Sequence, residues 1–202
     1  MRNLEILYED NSVIVINKPA GLAVQGGKGI KTSLDKILAE IRTPAPLLVH
    51  RLDRDTSGVL LAAKTKEAAA VFSRLLGNAF KQYIAICAGC PKDKEGIITQ
   101  DIPVHGKMKK SQTKYKVIKA DNKFSILELK LETGRMHQIR RHLAMIGNPI
   151  LGDDKYGNFP LNKDLRLKRL LLHAHKLTIK EKNINLTVQA PLPDYFNLVV
   201  SG

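Results

Sequence analysis

The chain has 202 residues, of which 44% are hydrophobic and 26% charged. This globular balance excludes disordered, fibrous and low-complexity architectures and leaves room for one domain with a sizeable core. Lysine and arginine number 33 against 19 acidic residues, a formal charge of +14, which points to nucleic acid or an anionic membrane as partner. Apolar runs such as 59–63 are far shorter than the ~18 residues of a membrane span. Glu5, Glu9 and Asp10 interrupt the start in a way that neither a secretory signal nor a transit peptide would, so nucleic acid is favoured and the expected location is the cytoplasm.

Residues 12–17 (SVIVIN) are β-branched and apolar and stop at Lys18-Pro19-Ala20-Gly21, which reads as a buried strand entering a turn. In Gly26-Gly27-Lys28-Gly29-Ile30-Lys31-Thr32, Ile30 separates glycine from the lysine that a phosphate-binding loop needs beside it, so a flexible turn is expected. Two short strands, 48–52 and 59–64, flank the polar loop 53–58, which is too short for a helix. Thr65 caps a helix whose Ala68, Val71, Phe72, Leu75 and Leu76 recur at i, i+3, i+4, i+7 and i+8 before Gly77.

Strands are predicted at 82–88, 113–118 and 124–131, the last alternating as Phe-Ser-Ile-Leu-Glu-Leu-Lys-Leu. A helix over about 136–146 places Ile139, Leu143 and Ile146 on one face, with Gly147 as its stop. A loop rich in Gly, Asp and Asn fills 147–165, and strands follow at 170–179 and 185–188. Alternating strand–helix units are scarce, so the expected fold is α+β, a single domain with a mixed, largely antiparallel β-sheet flanked by helices and loops. The Cys87-Ala88-Gly89-Cys90 spacing lacks a second pair of ligands and reads as a strand running into a turn, not a metal or redox centre.

The positive charge is concentrated in two stretches. From 105 to 120 there are six lysines (Lys107, Lys109, Lys110, Lys114, Lys116, Lys119) and no acid, with Tyr115 interleaved; from 162 to 182 seven basic residues meet only Asp164 and Glu181. A solvated charged face is the plain reading, and segregation from acids favours an RNA track.

The stretch His50-Arg51-Leu52-Asp53-Arg54-Asp55-Thr56-Ser57-Gly58 resembles the HRLDxxTSG motif of RluA-type pseudouridine synthases. The resemblance extends through Asn17-Lys18-Pro19-Ala20-Gly21, Lys81-Gln82-Tyr83-Ile84-Ala85, Thr133-Gly134-Arg135-Met136-His137-Gln138-Ile139-Arg140, Gly152-Asp153-Asp154-Lys155-Tyr156-Gly157 and Leu172-His173-Ala174. It thus spans nearly the whole chain in the family's order. It implies a cofactor-independent, metal-free isomerase that breaks the uridine N1–C1′ bond, rotates the uracil and rejoins it through C5. One departure stands beside it: many members carry a small RNA-binding domain ahead of the catalytic one, whereas here the strand SVIVIN begins at Ser12. The expectation is therefore the catalytic domain over 1–202 with no separate N-terminal RNA-binding domain in this chain, either because the protein lacks one or because the chain is a fragment.

By that resemblance Asp53 is the catalytic carboxylate, acting either as nucleophile at C1′ or as base at C2′, both of which need it ionised. A carboxylate in a dry base pocket needs a cationic partner, and Arg140 takes that place by its position in the motif. Tyr83 is expected to face the target base and to serve proton removal from C5, and Leu172 to form an apolar pocket wall. Arg51 and Arg54, beside the catalytic loop, are candidates for holding the vacated helix or adjacent phosphates, and Lys107, Lys109 and Lys110 for tracking the RNA backbone. His50 and His137 are expected to be structural. Details of the motifs favour the RluC-like branch and large-subunit ribosomal RNA, with transfer RNA as the alternative substrate. A non-catalytic RNA-binding ribosome-assembly factor is the rival reading, and a monomer with no membrane partner is expected.

Overall fold

A computed structural model describes residues 4–104 and 106–196. The first three residues of the N-terminal stretch and His105, at the head of the lysine-rich segment, lie outside the described residues. In chain order the elements are β1 (Glu5–Glu9), β2 (Val13–Lys18), α1 (Leu34–Ile41), β3 (Leu47–Leu48), β4 (Ser57–Ala63), α2 (Lys66–Leu75), β5 (Phe80–Ala88) and β6 (Glu95–Ile98). They continue with β7 (Ile102–Val104), β8 (Lys107–Lys109), β9 (Thr113–Ala120), β10 (Phe124–Leu131), α3 (Gln138–Met145), α4 (Phe159–Asp164), β11 (Leu172–Glu181) and β12 (Ile184–Gln189), then a 3-10 turn at Asp194–Phe196. The fold is α+β and its sheet pairing largely antiparallel, as the sequence implies.

Two compact units emerge, one built from the chain up to Phe80 with Ala174–Pro191, the other from Lys81–His173 with the segment from Leu192. In the first unit the strands run β1-β2-β4-β11-β12, with β3 pairing the end of β4. Residues Val13 to Ile16 of β2 and Leu60 to Ala63 of β4 are fully buried, which is why both read as continuous apolar runs without alternation. Val13, Val15, Val59 and Leu61 pack with Phe72, Leu75 and Leu76 of and beside α2. Each such aliphatic side chain contributes roughly 1.5–3 kcal/mol on burial. Thr65 caps α2 by accepting the backbone N–H of Ala68.

Gly58 has φ of 109°, and a Cβ there would lie 2.1 Å from the Ala174 carbonyl oxygen. Only glycine permits this approach of β4 to β11, in both its conformation and its size.

In the second unit the order is β5-β10-β9-β6, with β7-β8 a separate hairpin. Along β10, Ser125, Leu127 and Leu129 are buried while their neighbours are half-exposed, the period-two pattern expected from the sequence. Leu127 and Leu129 join Ile84, Ile86, Ile139, Leu143 and Leu171 in this unit's core.

Differences from the sequence reading are local. The strand expected over 48–52 is only Leu47–Leu48, because the chain leaves the sheet at Val49 and spends His50 and Leu52 on the following loop. Ser57 and Gly58, expected in the loop, begin β4. The loop expected over 147–165 contains α4, started by Asn158, whose side chain accepts the Leu161 N–H. Cys87 lies fully buried in β5 and Cys90 on the surface beyond it. Burial pushes the Cys87 thiol far up, which makes it an inert core residue.

Candidate active site

Asp53 sits in the first unit, half-buried, at the head of a turn in which the Thr56 N–H donates to the Asp53 carbonyl at 3.2 Å. Leu52 before it and Thr56 after it are buried, so both ends of the turn are anchored. His50 accepts the Leu61 backbone N–H through Nε2 at 2.9 Å, which fixes the loop to β4 and makes this histidine structural. Arg54 is exposed and grips Asp55 through Nε and Nη2 at 3.0 Å each, and Arg51 is exposed on the other side of the aspartate.

The residue the sequence did not single out here is Lys18. It is fully buried, and its Nζ donates to the carbonyls of Pro19, Leu22 and Arg54, each at 2.9 Å. The Arg54 carbonyl also accepts the Gly21 N–H at 2.9 Å. The turn carrying Asp53 is therefore pinned to the Lys18-Pro19-Ala20-Gly21 turn by two donors on one oxygen. Burial pushes the Lys18 ammonium down to about 7, against the pull of the Asp55 and Asp53 carboxylates. That value lies below the ordinary 10.5, so the unfolded chain binds the extra proton between the two, and this group adds stability as pH rises from about 7.

Lys18→Met would take this donor from all three carbonyls. That of Arg54 keeps the Gly21 N–H, and those of Pro19 and Leu22 lose the Lys18 bond, at about 1–3 kcal/mol for each buried group left unsatisfied. The expected outcome is a lower thermal midpoint and a lower kcat, read by thermal denaturation and turnover assays. A variant with the wild-type midpoint and kcat would remove Lys18 from this role.

Tyr83, Arg140 and Leu172 sit in the second unit. Tyr83 is half-buried on β5, opposite Leu129 of β10, and packs against the core cluster. Leu172 is buried in that cluster at the start of β11, so its core role is established by packing. Arg140 is only 4% exposed. It projects from α3 into a bidentate pair with Asp153, Nε to Oδ2 at 2.7 Å and Nη2 to Oδ1 at 2.8 Å, and Nη2 also reaches Asp154 at 3.1 Å.

Burial of the Asp153 carboxyl raises its pKa, but the Arg140 hydrogen bonds and the backbone N–H groups of Tyr156 and Lys155 outweigh that and hold it below its ordinary value. The Thr133–Arg140 segment thus supplies the fork and the Gly152–Gly157 segment the carboxylate that aims it. Tyr156 reinforces the pairing. The Arg140 guanidinium lies 5.4 Å from its ring centroid, and Arg141 Nε donates to its hydroxyl at 3.0 Å.

Gln138, left without a role by the sequence, is buried. Its carbonyl oxygen accepts from Thr133 Oγ1 and the Arg135 N–H, and its amide nitrogen donates to the Gln112 carbonyl and Thr113 Oγ1. The first two bonds close the turn before α3 on itself, and the last two tie it to the start of β9 and its approach. His137 starts α3 in a left-handed conformation, with φ of 55°, and its Nδ1 lies 3.2 Å from the Tyr156 hydroxyl. It is a positioned structural residue, in line with the expectation.

Lys107 and Lys109 lie on β8, spaced to share one face of the strand, with Lys110 just beyond; all three are exposed. Among the described residues no group of three or more His, Cys, Asp or Glu side chains is arranged to hold a metal ion, and no helix is long and apolar enough to cross a membrane.

Comparison with known proteins decides the family. The model of the RNA pseudouridylate synthase family matches residues 12–145. The chain belongs to the RNA pseudouridine synthase family. It is 38% identical to ribosomal large subunit pseudouridine synthase C of Rickettsia bellii over 219 aligned positions, covering 96% of this chain and 70% of that protein. It is 37% identical to ribosomal large subunit pseudouridine synthase D of Nitrosomonas europaea, covering 95% and 62%. Among solved structures, human RNA pseudouridylate synthase domain containing 4 superposes with a TM-score of 0.84 at 27% identity, over 98% of this chain and 92% of that one. The pseudouridine synthase fold and an isomerase acting on RNA follow from this membership.

Proposed function

We propose that this pseudouridine synthase isomerises uridines in large-subunit ribosomal RNA, as a cofactor-independent monomer in the cytoplasm. The observation that carries the substrate is the match, along nearly the whole chain, to proteins named as large-subunit enzymes. The observation that carries the chemistry is the complete set of family motifs around Asp53, Tyr83 and Arg140.

In this reading the target nucleotide is flipped out of its stack at a cost of a few kcal/mol, offset by phosphate contacts. The Asp53 carboxylate assists cleavage of N1–C1′, by attack at C1′ or by taking a proton at C2′. The freed uracil turns and C5 bonds to C1′, displacing the carboxylate in the first case or with return of the proton to C2′ in the second; the C5 proton then leaves while N1 gains one. Arg140 is the counter-charge of Asp53, held rigid by Asp153, which lets a bidentate arginine act without losing side-chain entropy at each turnover. Tyr83 stacks on the base and its hydroxyl serves the departure of the C5 proton. Leu172 contributes an apolar wall, while Arg51 and Arg54 engage the gap or the neighbouring phosphates.

Lys107, Lys109 and Lys110 belong to the RNA track. Replacing all three with glutamine is expected to lower the slope of log affinity against log salt by up to about 2, at ~0.7 per single-strand phosphate contact. An unchanged slope assigns them to a solvated face. The substrate is tested by incubating protein-free large-subunit RNA and bulk unmodified transfer RNA with the enzyme and mapping new pseudouridine. Modification of the ribosomal RNA is expected, and modification confined to transfer RNA contradicts the assignment.

A further inference from the structure

The second unit carries a cavity of about 910 Å3 that the mechanism does not use, walled by Phe124, Leu161, Leu171 and Tyr195. Its volume lies within the roughly 300–1,000 Å3 of ligand sites. Lys123, Arg166, Lys168 and Arg169 stand on its rim against Asp121 and Asp164, four cations to two acids. Phe124 pairs with Ala88 at the end of β5 remote from Tyr83, about 17 Å along the strand at ~3.3 Å per residue. The Phe124 wall of the cavity is therefore remote from Tyr83, while its Leu171 wall accepts the Ile86 N–H of β5 and directly precedes Leu172.

The end of α4 gives an independent indication. Arg166 has φ of 50°, and its N–H donates to the Lys163 carbonyl while that of Leu167 donates to the Asn162 carbonyl. Helix α3 ends with the same pair of bonds, Gly147 to Ala144 and Asn148 to Leu143, and there the left-handed residue is Gly147 with φ of 81°. This is the helix stop at which glycine is strongly favoured. An arginine in that place forgoes the easy conformation and puts a cation on the rim. Among the described residues the one other non-glycine with positive φ is His137, and a non-glycine residue persists in that conformation only where its surroundings over-determine it.

Tyr195 carries the Arg169 guanidinium over its ring at 5.5 Å. Aromatic rings and guanidinium planes are the surfaces on which unpaired RNA bases stack. We propose that this cavity is a second RNA site, taking a single-stranded segment that flanks the target uridine. Its bases lie against Phe124, Tyr195 and the Arg169 plane, and its phosphates are held by Arg166 and Lys168. The proposal rests on the reading of the chain as an RNA-modifying enzyme. An apolar protein segment would fill the same walls, but it would give no reason for a cation at the left-handed stop of α4.

The test is fluorescence anisotropy with a labelled single-stranded oligouridylate over a range of salt, on the full chain and its variants. Arg166→Gly is expected to raise the thermal midpoint by about 2 °C, since it relieves the left-handed arginine. The same variant should weaken RNA binding about threefold and reduce the salt slope by ~0.7, and Arg166→Lys should keep the wild-type slope. Tyr195→Leu, which keeps apolar bulk and loses the ring, should weaken binding at least about fivefold.

Wild-type affinity and slope in both Arg166→Gly and Tyr195→Leu, with wild-type enzyme still forming pseudouridine, overturns the second site and leaves the family's reaction intact. A wild-type chain that neither binds the oligonucleotide nor forms pseudouridine overturns the RNA reading itself.

Discussion

Asp53→Asn is expected to abolish pseudouridine formation while leaving RNA affinity within about threefold of wild type. The amide is nearly isosteric with the carboxylate, so the turn that ends with the Thr56 N–H on the Asp53 carbonyl and the Lys18 grip on Arg54 involve only backbone acceptors that the substitution keeps. What it removes is the negative charge that both the nucleophilic and the basic roles require. Multiple turnover by an Asp53→Asn preparation free of wild-type enzyme would exclude the carboxylate from the chemistry. A loss of RNA binding parallel to the loss of rate would instead make Asp53 a folding or docking residue.

Arg140→Met carries the second large effect, and it reaches folding as well as catalysis. The Asp153 carboxylate is fully buried, and without Arg140 it keeps only the backbone N–H groups of Lys155 and Tyr156. Breaking one partner out of a buried pair costs about 3–5 kcal/mol, which should appear as a much lower denaturation midpoint at neutral pH.

The sign of the pH effect follows from Asp153, whose folded-state pKa is depressed below 3.8. Its contribution is complete above the unfolded value and is lost as pH falls through the folded one. In Arg140→Met that depression is largely removed, so the variant should lose less stability than wild type on acidification, measured by denaturant melts across the acid range. Catalysis should fall as well, because the proposed counter-charge of Asp53 is gone. Near-normal rates from pH ~6 to ~8 would show that Arg140 has no part in the chemistry of Asp53. Arg140→Lys separates the two effects: it restores a charge without the planar fork, so it should recover part of the stability and little of the rate.

The sequence placed the carriers of strong periodic or motif signals and passed over the carriers of tertiary ones. Helix α2 was legible because Thr65 and the spacing from Ala68 to Leu76 agree, and β10 because its apolar residues alternate. Helix α1 has a usable signal in Leu34, Ile37, Leu38 and Ile41 at helical spacing, but it is only eight residues long and directly follows the glycine-rich turn. Helix α4 has six residues, too few for periodicity to register, and only Asn158 followed by Pro160 hinted at a helix start. Strands β7 and β8 are three residues each; β8 is exposed throughout and β7 buries only Ile102, too short a pattern for alternation to mark either.

The motifs single out Asp53, Tyr83 and Arg140 as candidate catalytic residues. Asp153 and Lys18 were quoted within motifs, but their tasks were not legible. A lysine beside a proline turn reads as solvated, and nothing local announces that three carbonyls from two turns will converge on it. The same holds for Gln138, whose four hydrogen bonds go to residues distant in sequence or across a turn. These roles arise from tertiary closure, which spacing does not encode.

The most direct measurement of the central claim is release of tritium from large-subunit RNA transcribed with C5-tritiated uridine, because C5 loses its hydrogen only when it becomes bonded to C1′. Wild-type enzyme is predicted to release tritium to solvent in step with the pseudouridine it forms, and Asp53→Asn to release none above background while still binding the RNA. Binding without tritium release by the wild-type chain on both large-subunit and transfer RNA would contradict the assignment and leave a non-catalytic RNA-binding protein in its place.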